Sequence, residues 1–372
     1  MDRREFIKIG LTAGAVVAVG PTFLAACHGS GSYGRLLAPD ANGLSLPAGF
    51  SSRVIASTGS TVSGTSYVWH SAPDGGATFP TGDGGWVYVS NSEVGSGGGG
   101  VGMVRFDPVG QIVDAKSILS GTNRNCAGGP TPWGTWLSCE EVSRGAVYEC
   151  DPLGVDTATR HDSLGWFNHE AAAVDPTGEA VYMTEDQSDG GLYRFRPDSY
   201  PDLSSGVLEV LVENGGALSW AALPNPNPSE AETSTRDQVA DMKVFNGGEG
   251  AFYFGGLIYF TTKGDNRVWS YDPVANDLGT LYDDDTSAHP VLTGVDNITA
   301  AANGDLYVAE DGGNMEVVLL KPDGTVGEFA RVNGVIGSEI TGPAFDPSGT
   351  RLYFSSQRFP GRTYEVSGPF DS

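Results

Sequence analysis

Apolar and polar residues alternate in short runs along most of the chain, a pattern that predicts strands rather than helices. Six segments repeat one plan: a short strand, a turn containing Gly, a second strand rich in aromatic and β-branched residues, and then a third strand. The six units begin near Asp74, Asn125, His169, Glu249, Asp296 and Glu339. Repetition at roughly 45 residues, with one longer gap, predicts an all-β fold, a six-bladed β-propeller.

The two ends of the repeat are expected to meet. Residues 50–57 (FSSRVIAS) look like a strand, while the sixth unit carries only three strands before the C-terminus. The N-terminal strand therefore completes the last blade in this prediction, closing the ring and removing its open edge. The propeller is predicted to cover residues 47–372.

The longer gap in the repeat lies between Arg196 and Lys243. It holds an apolar run (LEVLVE) that predicts an outer strand, then a polar loop and a short helix ending at Met242. Such an insert either leans over a tunnel mouth and shapes access to it, or forms a surface loop without a role.

The N-terminus is typical of an export signal. Arg3 and Arg4 precede an apolar run broken by glycines, which indicates a twin-arginine signal peptide over residues 1–26. The run ends in Leu24-Ala25-Ala26-Cys27, similar to a lipobox, so Cys27 is the predicted site of acylation. The alternatives are an ordinary cleaved signal and an uncleaved anchor. Residues 27–46 read as a flexible tether, and the protein is expected in the cell envelope, in the periplasm or on the cell surface.

The composition and net charge of the chain limit the kinds of partner that it can bind. The chain of 372 residues has a formal net charge of −25, with 54 Gly, 22 Pro and 18% charged residues. This charge argues against a nucleic-acid partner, since a polyanion would be repelled and the chain has no basic stripe. We expect a monomer that meets the membrane only through a lipid on Cys27. The acidity also has a simpler interpretation, which is that it keeps an exported protein soluble.

Acidic residues fall in phase with the repeat. In an antiparallel blade, the start of the first strand and the end of the second lie at the same mouth of the tunnel. One carboxylate there is usually a strand-end hydrogen-bond acceptor, but many in phase would repel one another unless cations were bound. The candidate ligands are Glu93, Cys139, Glu140, Glu170, Glu185, Glu249, Asp296 and Glu310.

The donor types predict the kind of cation. Carboxylates with little imidazole suit hard cations such as calcium, magnesium, manganese or ferric iron, and one thiolate among them favours a transition metal. Cys139 is the expected thiolate because it precedes Glu140, while Cys126 and Cys150 are either bridged or simply buried. Lys263 and Arg358 are expected at the same mouth, where they contact substrate or neutralise carboxylates.

Several segments resemble a known family. PWGTWLSCEE, GWFNHEAAAVDPTG, TEDQSDGGLYRFRPD and LYVAEDGGNME are similar to the PhoX-type alkaline phosphatases, in particular their short, single-propeller branch, and the similarity runs from about residue 47 to the end. The resemblance implies a phosphatase of small phosphomonoesters with an iron and calcium cluster at the propeller mouth. It further implies Cys139 as an iron ligand, Asp186 as a further metal ligand and Asn91 as a contact of the substrate phosphate.

One position departs from the family pattern. The family commonly has an arginine two residues before the fourth-blade glutamate, where this chain has Gly247. Loss of a bidentate phosphate ligand would weaken hydrolysis. Two other functions therefore stay open, a calcium-dependent lactonase-like hydrolase and a non-catalytic, metal-stabilised surface propeller.

Overall fold

A computed structural model describes residues 32–311 and 313–371 of the chain, almost all of them in or between strands. Two strands precede the first blade, namely β1 (Leu44–Ser45) and β2 (Ser51–Ser57). Blade 1 consists of β3 (Pro73–Pro80), β4 (Trp86–Ser92), β5 (Gly99–Phe106) and β6 (Ile112–Thr122). Blade 2 consists of β7 (Asn125–Pro130), β8 (Trp136–Glu140), β9 (Val147–Cys150) and β10 (Thr159–His161). Blade 3 consists of β11 (His169–Asp175), β12 (Ala180–Glu185), β13 (Leu192–Ser199), β14 (Asp202–Asn214) and β15 (Ala217–Ala222).

The second half of the ring repeats the plan. Blade 4 consists of β16 (Gly248–Phe254), β17 (Leu257–Thr262), β18 (Arg267–Asp272) and β19 (Asp277–Asp283). Blade 5 consists of β20 (Val295–Ala300), β21 (Leu306–Glu310), β22 (Glu316–Leu320) and β23 (Val326–Val332). Blade 6 consists of β24 (Ile340–Phe345), β25 (Arg351–Ser356) and β26 (Arg362–Ser367). Three 3₁₀ turns complete the elements of the described residues: Asp162–Leu164, Thr235–Asp237 and Lys263–Asp265.

The ring closes as the sequence predicts. Strand β2 pairs with β26 in antiparallel register, Ser51 opposite Ser367, and so becomes the outermost strand of blade 6. Strand β1 pairs with β23 at the outer edge of blade 5, with Leu44 opposite Val332. The end of the predicted tether is thus a packed strand, because Leu44 is buried against blade 5. Arg3, Arg4 and Cys27 lie outside the described residues.

The insert adds a fifth strand to blade 3. Strands β14 and β15 form a long hairpin, with Val210 opposite Ala221. The predicted short helix ending at Met242 is not formed: a single 3₁₀ turn spans Thr235–Asp237, and Met242 instead bridges to Val212. No helix in the described part of the chain is long and apolar enough to cross a bilayer.

Hydrophobic side chains pack between neighbouring blades. One cluster joins Leu137 and Val147 of blade 2 to Val181 and Phe195 of blade 3, all completely buried. Towards the tunnel axis the innermost strands β7 and β11 approach so closely that a side chain at Gly129 would lie 1.7 Å from the carbonyl oxygen of Ala172. The six innermost strands therefore form a tight ring, and the starts of these strands are held at one end of it.

Candidate metal centre

The second residue of each innermost strand lies at one mouth of the tunnel. In five blades this residue carries a metal-ligating side chain, and we call the set the inner ring: Asp74, Cys126, Glu170, Glu249 and Asp296. In blade 6 the position is Thr341, whose hydroxyl donates a hydrogen bond to the carbonyl oxygen of Pro73 at 2.9 Å. Four of the five inner-ring residues are no more than 5% exposed.

A β-bulge sits at the same point of every blade. The register between the first and second strands shifts next to the inner-ring residue, for example between His169 and Ala172 and between Gly248 and Ala251. A bulge places two residues opposite one and turns a side chain out of the pleat. The repeated bulge thus aims the inner ring at the tunnel axis.

Neighbouring blades fix the backbone of the inner ring. The next-to-last residue of a second strand donates to the carbonyl oxygen of the following blade's ring residue: Thr184 Oγ1 to Glu249 at 2.5 Å and Thr261 Oγ1 to Asp296 at 2.5 Å. Asn91 Nδ2 makes the equivalent bond to Cys126 at 3.1 Å. These hydrogen bonds between blades hold the ring donors in place before any ligand binds.

A second set of side chains surrounds the first. The residue directly after the second strand of each blade lies at the same mouth, and we call this set the outer ring: Glu93, Glu141, Asp186, Lys263, Asp311 and Gln357. Glu339, which precedes strand β24, supplies one more carboxylate. Together the two rings and Glu339 form what we call the acidic mouth.

Ligand atoms of the acidic mouth converge in three groups. In each group, one ligand atom from every residue lies within 4.8 Å of the others. The groups are Glu170 with Glu249 and Asp296, Cys126 with Glu141 and Glu170, and Asp74 with Glu93 and Glu339. Glu170 belongs to two of them and therefore links the thiol group to the all-carboxylate group.

Glu170 has no partner for its charge within the described residues. It is 1% exposed, and neither Oε1 nor Oε2 accepts a hydrogen bond. Burial, together with the nearby Glu249 and Glu141, raises the pKa of Glu170 well above its ordinary value. A buried carboxyl without hydrogen bonds is costly unless a proton or a cation compensates it.

The pKa values of other carboxyl groups in the mouth are raised as well. Burial first, and neighbouring acids second, raise the pKa of Glu141 to about 7 and that of Glu339 to about 9. Burial likewise raises the pKa of Asp296 to about 8 and those of Asp74 and Glu249 well above the ordinary value. The mouth therefore favours added positive charge.

Cationic side chains neutralise only part of this charge. Lys263 Nζ lies 2.7 Å from Glu249 Oε1, 3.4 Å from Asp311 Oδ2 and 3.6 Å from Asp186 Oδ2. Arg358 bridges Glu93 at 2.8 Å and Glu339 at 2.9 Å, and Arg124 approaches Glu93 at 3.8 Å. The described mouth thus contains nine carboxyl groups and only three cationic side chains. Several bound cations could neutralise the remaining negative charge.

The donor set fits the cations that the family resemblance implies. Three carboxylates, as in the group of Asp74, suit calcium, which prefers oxygen ligands. The thiol of Cys126 beside two carboxylates suits a softer transition ion such as iron. Burial and the adjacent Asp74 raise the pKa of Cys126 well above its ordinary value, so only a metal would hold it as thiolate.

Several predicted residues do lie in the acidic mouth. The structure brings together Glu170, Glu249 and Asp296, and places Glu93, Asp186, Lys263 and Arg358 around them. Lys263 and Arg358 are both paired with carboxylates. These pairs agree with the neutralising role, one of the two roles that the sequence predicted for them. Gly247 lies beside Lys263 with φ of +70°, a left-handed conformation in which an arginine would be strained.

The predictions for Cys139 and Asn91 need correction. Cys139 is completely buried in the apolar core between blades 2 and 3, because it occupies the strand position that faces the neighbouring blade. Asn91 occupies the same position in blade 1. Its amide donates to two backbone carbonyls, and its oxygen accepts from Trp136 Nε1 and Ser138 Oγ, both at 2.9 Å. Asn91 therefore positions strand β7 and has no free atom for a phosphate.

The predicted ligands Glu140, Glu185 and Glu310 also lie outside the three groups. Each closes a second strand and turns into its own blade, where it accepts backbone N–H groups. Glu140 accepts from Asn123 at 2.8 Å and Ala146 at 3.2 Å. Glu310 accepts from Thr293 at 2.8 Å, and Glu185 pairs with Arg236 at 2.9 Å. These three are the strand-end acceptors that the simpler interpretation described.

Sequence reasoning missed six residues of the mouth and one arginine. They are Asp74, Cys126, Glu141, Asp311, Glu339, Gln357 and Arg124. Two signals were present: Cys126 follows the first residue of its strand as Glu170 does, and Glu141 follows the second strand as Asp186 does. The sequence left two alternatives for Cys126 and Cys150, a disulfide between them or two buried thiols. In the structure Cys126, Cys139 and Cys150 are all free thiols.

The protein is a six-bladed propeller with a carboxylate-rich mouth at one end of its tunnel. A family model described as alkaline phosphatase PhoX matches residues 111–280, which confirms the resemblance of this chain to that family. No curated protein matches the sequence significantly.

Solved structures share the architecture. PhoX of Pseudomonas fluorescens, solved in complex with vanadate, superposes with a TM-score of 0.73 at 16% identity, covering 88% of this chain and 96% of that one. A gluconolactonase of Xanthomonas campestris gives 0.50 at 13% identity over 80% and 86% of the two chains. A protein of unknown function from Bacteroides thetaiotaomicron gives 0.54 at 10% identity over 86% and 76%. At these identities the likeness concerns the fold.

Proposed function

We propose that this protein is an exported phosphomonoesterase that works with calcium and iron held in the acidic mouth. The observation that carries the proposal is Glu170, a buried carboxyl whose two oxygens lack hydrogen-bond partners among the described residues. It stands between a thiol-containing group and an all-oxygen group of ligands. An isolated carboxylate in that position is unstable, but one shared by two cations is not.

The ligands divide by chemistry. Cys126, Glu141 and Glu170 would hold iron, while Glu249 and Asp296, and separately Asp74 with Glu93 and Glu339, would hold calcium. Cations bound there supply Lewis acidity and neutralise charge on a phosphoryl group. The vanadate complex of Pseudomonas PhoX supports a phosphoryl-transfer function, since vanadate is described there as a transition-state analogue.

Three cationic side chains at the rim would orient the phosphate. Arg124 is 51% exposed and its two carboxylate contacts are long, 3.8 and 3.7 Å, so its guanidinium retains free donors. Lys263 lies beside Gly247 and would occupy the corner where the family has its arginine. A lysine offers a point charge and not a bidentate fork, so we expect weaker binding of phosphate than in relatives with the arginine.

The acidic surroundings and the N-terminal signal complete the proposal. With a net charge of −25, the protein would repel a nucleic acid. Its proposed substrate is a small phosphomonoester. We propose export by the twin-arginine route, a lipid on Cys27 as the membrane tether, and a monomeric state.

Metal analysis and turnover of p-nitrophenyl phosphate by the exported protein test the proposal. We expect iron and calcium together with hydrolysis that chelation removes and that the Cys126→Ala variant lacks. Calcium alone with hydrolysis of lactones would support the lactonase-like function instead. Bound calcium without turnover of any ester would support the non-catalytic surface propeller.

A further inference from the structure

Gln357 is the amide of the outer ring. It follows strand β25 in blade 6 and is 1% exposed. Its Nε2 donates to Asp74 Oδ2 at 2.5 Å and to Glu93 Oε2 at 3.0 Å. Both acceptors belong to the carboxylate group that Glu339 completes. One side chain therefore touches two of the three acids of that group.

The other end of the same amide is unsatisfied. Gln357 Oε1 is buried and has no hydrogen-bond partner among the described residues. Exchanging the oxygen and nitrogen would not help, because Oε1 would then face two carboxylates. A buried carbonyl oxygen without a partner costs about 1–3 kcal/mol, so the position calls for a ligand.

We propose that Gln357 Oε1 is a ligand of a calcium ion bound by Asp74, Glu93 and Glu339. The inference rests on the proposed function only in that a cation occupies the mouth. Side-chain amide oxygens are ordinary calcium ligands, and this group contains no sulfur. Gln357 thereby has two tasks: its N–H groups hold two carboxylates in position, and its oxygen completes the coordination.

Asn297 provides a matched control inside the same mouth. Its Nδ2 donates to Asp296 Oδ1 at 2.8 Å, as Gln357 does to Asp74. Its oxygen, however, already accepts the backbone N–H of Gly342 at 2.6 Å. Asn297 is thus a buried amide that positions a ring carboxylate and has no oxygen left for a cation.

Calcium titration of the chelated full-length protein by isothermal titration calorimetry tests the proposal. In Gln357→Met, which keeps the length but has no oxygen, we expect calcium affinity at one site to fall by about 10- to 100-fold. Gln357→Glu retains an oxygen and should stay within about threefold of wild type. Asn297→Leu removes a positioning amide but no free oxygen, so it should lower calcium affinity less than Gln357→Met does, and iron content should be unchanged in Gln357→Met.

A second variant without the oxygen distinguishes loss of a calcium ligand from misfolding. Gln357→Lys can still donate to Asp74 and Glu93, so its chelated form should fold at least as well as wild type while calcium at this site is lost. Wild-type calcium binding in Gln357→Met or Gln357→Lys would overturn the proposal. Equal losses in Gln357→Glu and Gln357→Met would also overturn it, since the amide would then only position the acids.

The outcome separates this inference from the proposed function. If wild type binds calcium through Gln357 but hydrolyses no phosphomonoester, the phosphatase proposal fails and the ligand assignment stands. If a metal-dependent phosphatase binds calcium equally well without the Gln357 oxygen, the ligand assignment alone fails.

Discussion

Blade 3 carries two buried glutamates at the same end of the propeller, and they have opposite surroundings. Glu185 closes a second strand and is held by Arg236 at 2.9 Å, Tyr193 Oη at 2.7 Å and the backbone N–H of Gly191 at 3.2 Å. Glu170 opens the first strand and has no such partner among the described residues. Glu185 is therefore a structural acid, whereas Glu170 is suited to bind a cation.

The difference follows from the position of each residue in the strand. The last residue of a second strand turns into its own blade, where loop N–H groups meet it. The next residue, and the residue beside the bulge in the first strand, turn towards the tunnel axis. Residue type alone therefore does not identify a ligand, whereas the hydrogen-bond partners of each carboxylate do.

Neutralising each glutamate in turn should give the largest contrast. Glu170→Gln should lower phosphatase activity and cation affinity by about 100-fold or more, because it removes a shared ligand. Its chelated form should unfold at a temperature no lower than wild type, since an uncompensated buried acid is gone. Glu185→Gln should instead cost about 3 kcal/mol of stability by breaking the buried pair with Arg236.

The measurements are metal content, turnover and thermal unfolding with a chelator present. Reversed phenotypes, with Glu170→Gln destabilised and fully metallated, would contradict the assignment of Glu170 as a metal ligand and of Glu185 as a structural acid.

The two cysteines offer a similar contrast of intermediate size. Cys126→Ser should release iron and keep most calcium, because only its group contains sulfur. Cys139→Ser should retain iron and lose about 1–3 kcal/mol of stability, since a hydroxyl would be buried in an apolar core. Iron analysis with denaturant unfolding distinguishes them. Iron loss in Cys139→Ser alone would restore the prediction made from sequence.

Lys263 should show a smaller effect. Its ammonium lies 2.7 Å from Glu249, so Lys263→Met should make the chelated protein less stable and increase calcium affinity a few-fold. If the lysine also orients phosphate, KM should rise more than kcat falls. Unchanged stability, calcium affinity and KM would exclude both roles.

The smallest expected effect is a pH dependence of the chelated protein. The pKa values of Glu141, Asp296 and Glu339 are raised to about 7, 8 and 9, so these carboxyls keep a proton in the folded state that the unfolded chain loses near pH 4. Their stabilisation is complete below about pH 4 and is lost as pH rises through about 7 to 9. The melting temperature with chelator should fall over that range, and calcium should remove the fall. A flat or rising profile without calcium would contradict this assignment.

The fold was predictable because repetition is an explicit property of the chain. The six starting points, the number of blades and the closure by residues 51–57 all follow from strand periodicity and from the missing fourth strand of the last unit. The helix expected before Met242 failed because Val212 recruits that residue into a bridge, a tertiary contact that local pattern does not encode.

The site was predictable only to within one residue in several blades. Repetition placed acids at the correct mouth, but a bulge or a strand end decides which of two adjacent residues reaches the axis. Glu141 reaches it and Glu140 does not. The same geometry gives Cys126 the place expected for Cys139. Partners from the insert, such as Arg236 on Glu185, are distant in sequence and leave no local signal.

We expect two cations to share the unpartnered carboxylate of Glu170. Metal content of the purified, exported wild-type protein and of Glu170→Gln, measured by plasma mass spectrometry after identical dialysis, tests it most directly. We predict fixed amounts of calcium and iron in wild type. The variant should lose iron and the calcium held with Glu249 and Asp296, and keep the calcium of the separate Asp74, Glu93 and Glu339 group. A wild-type protein free of both metals, or a variant with the same metal content as wild type, would contradict a cation site shared at Glu170.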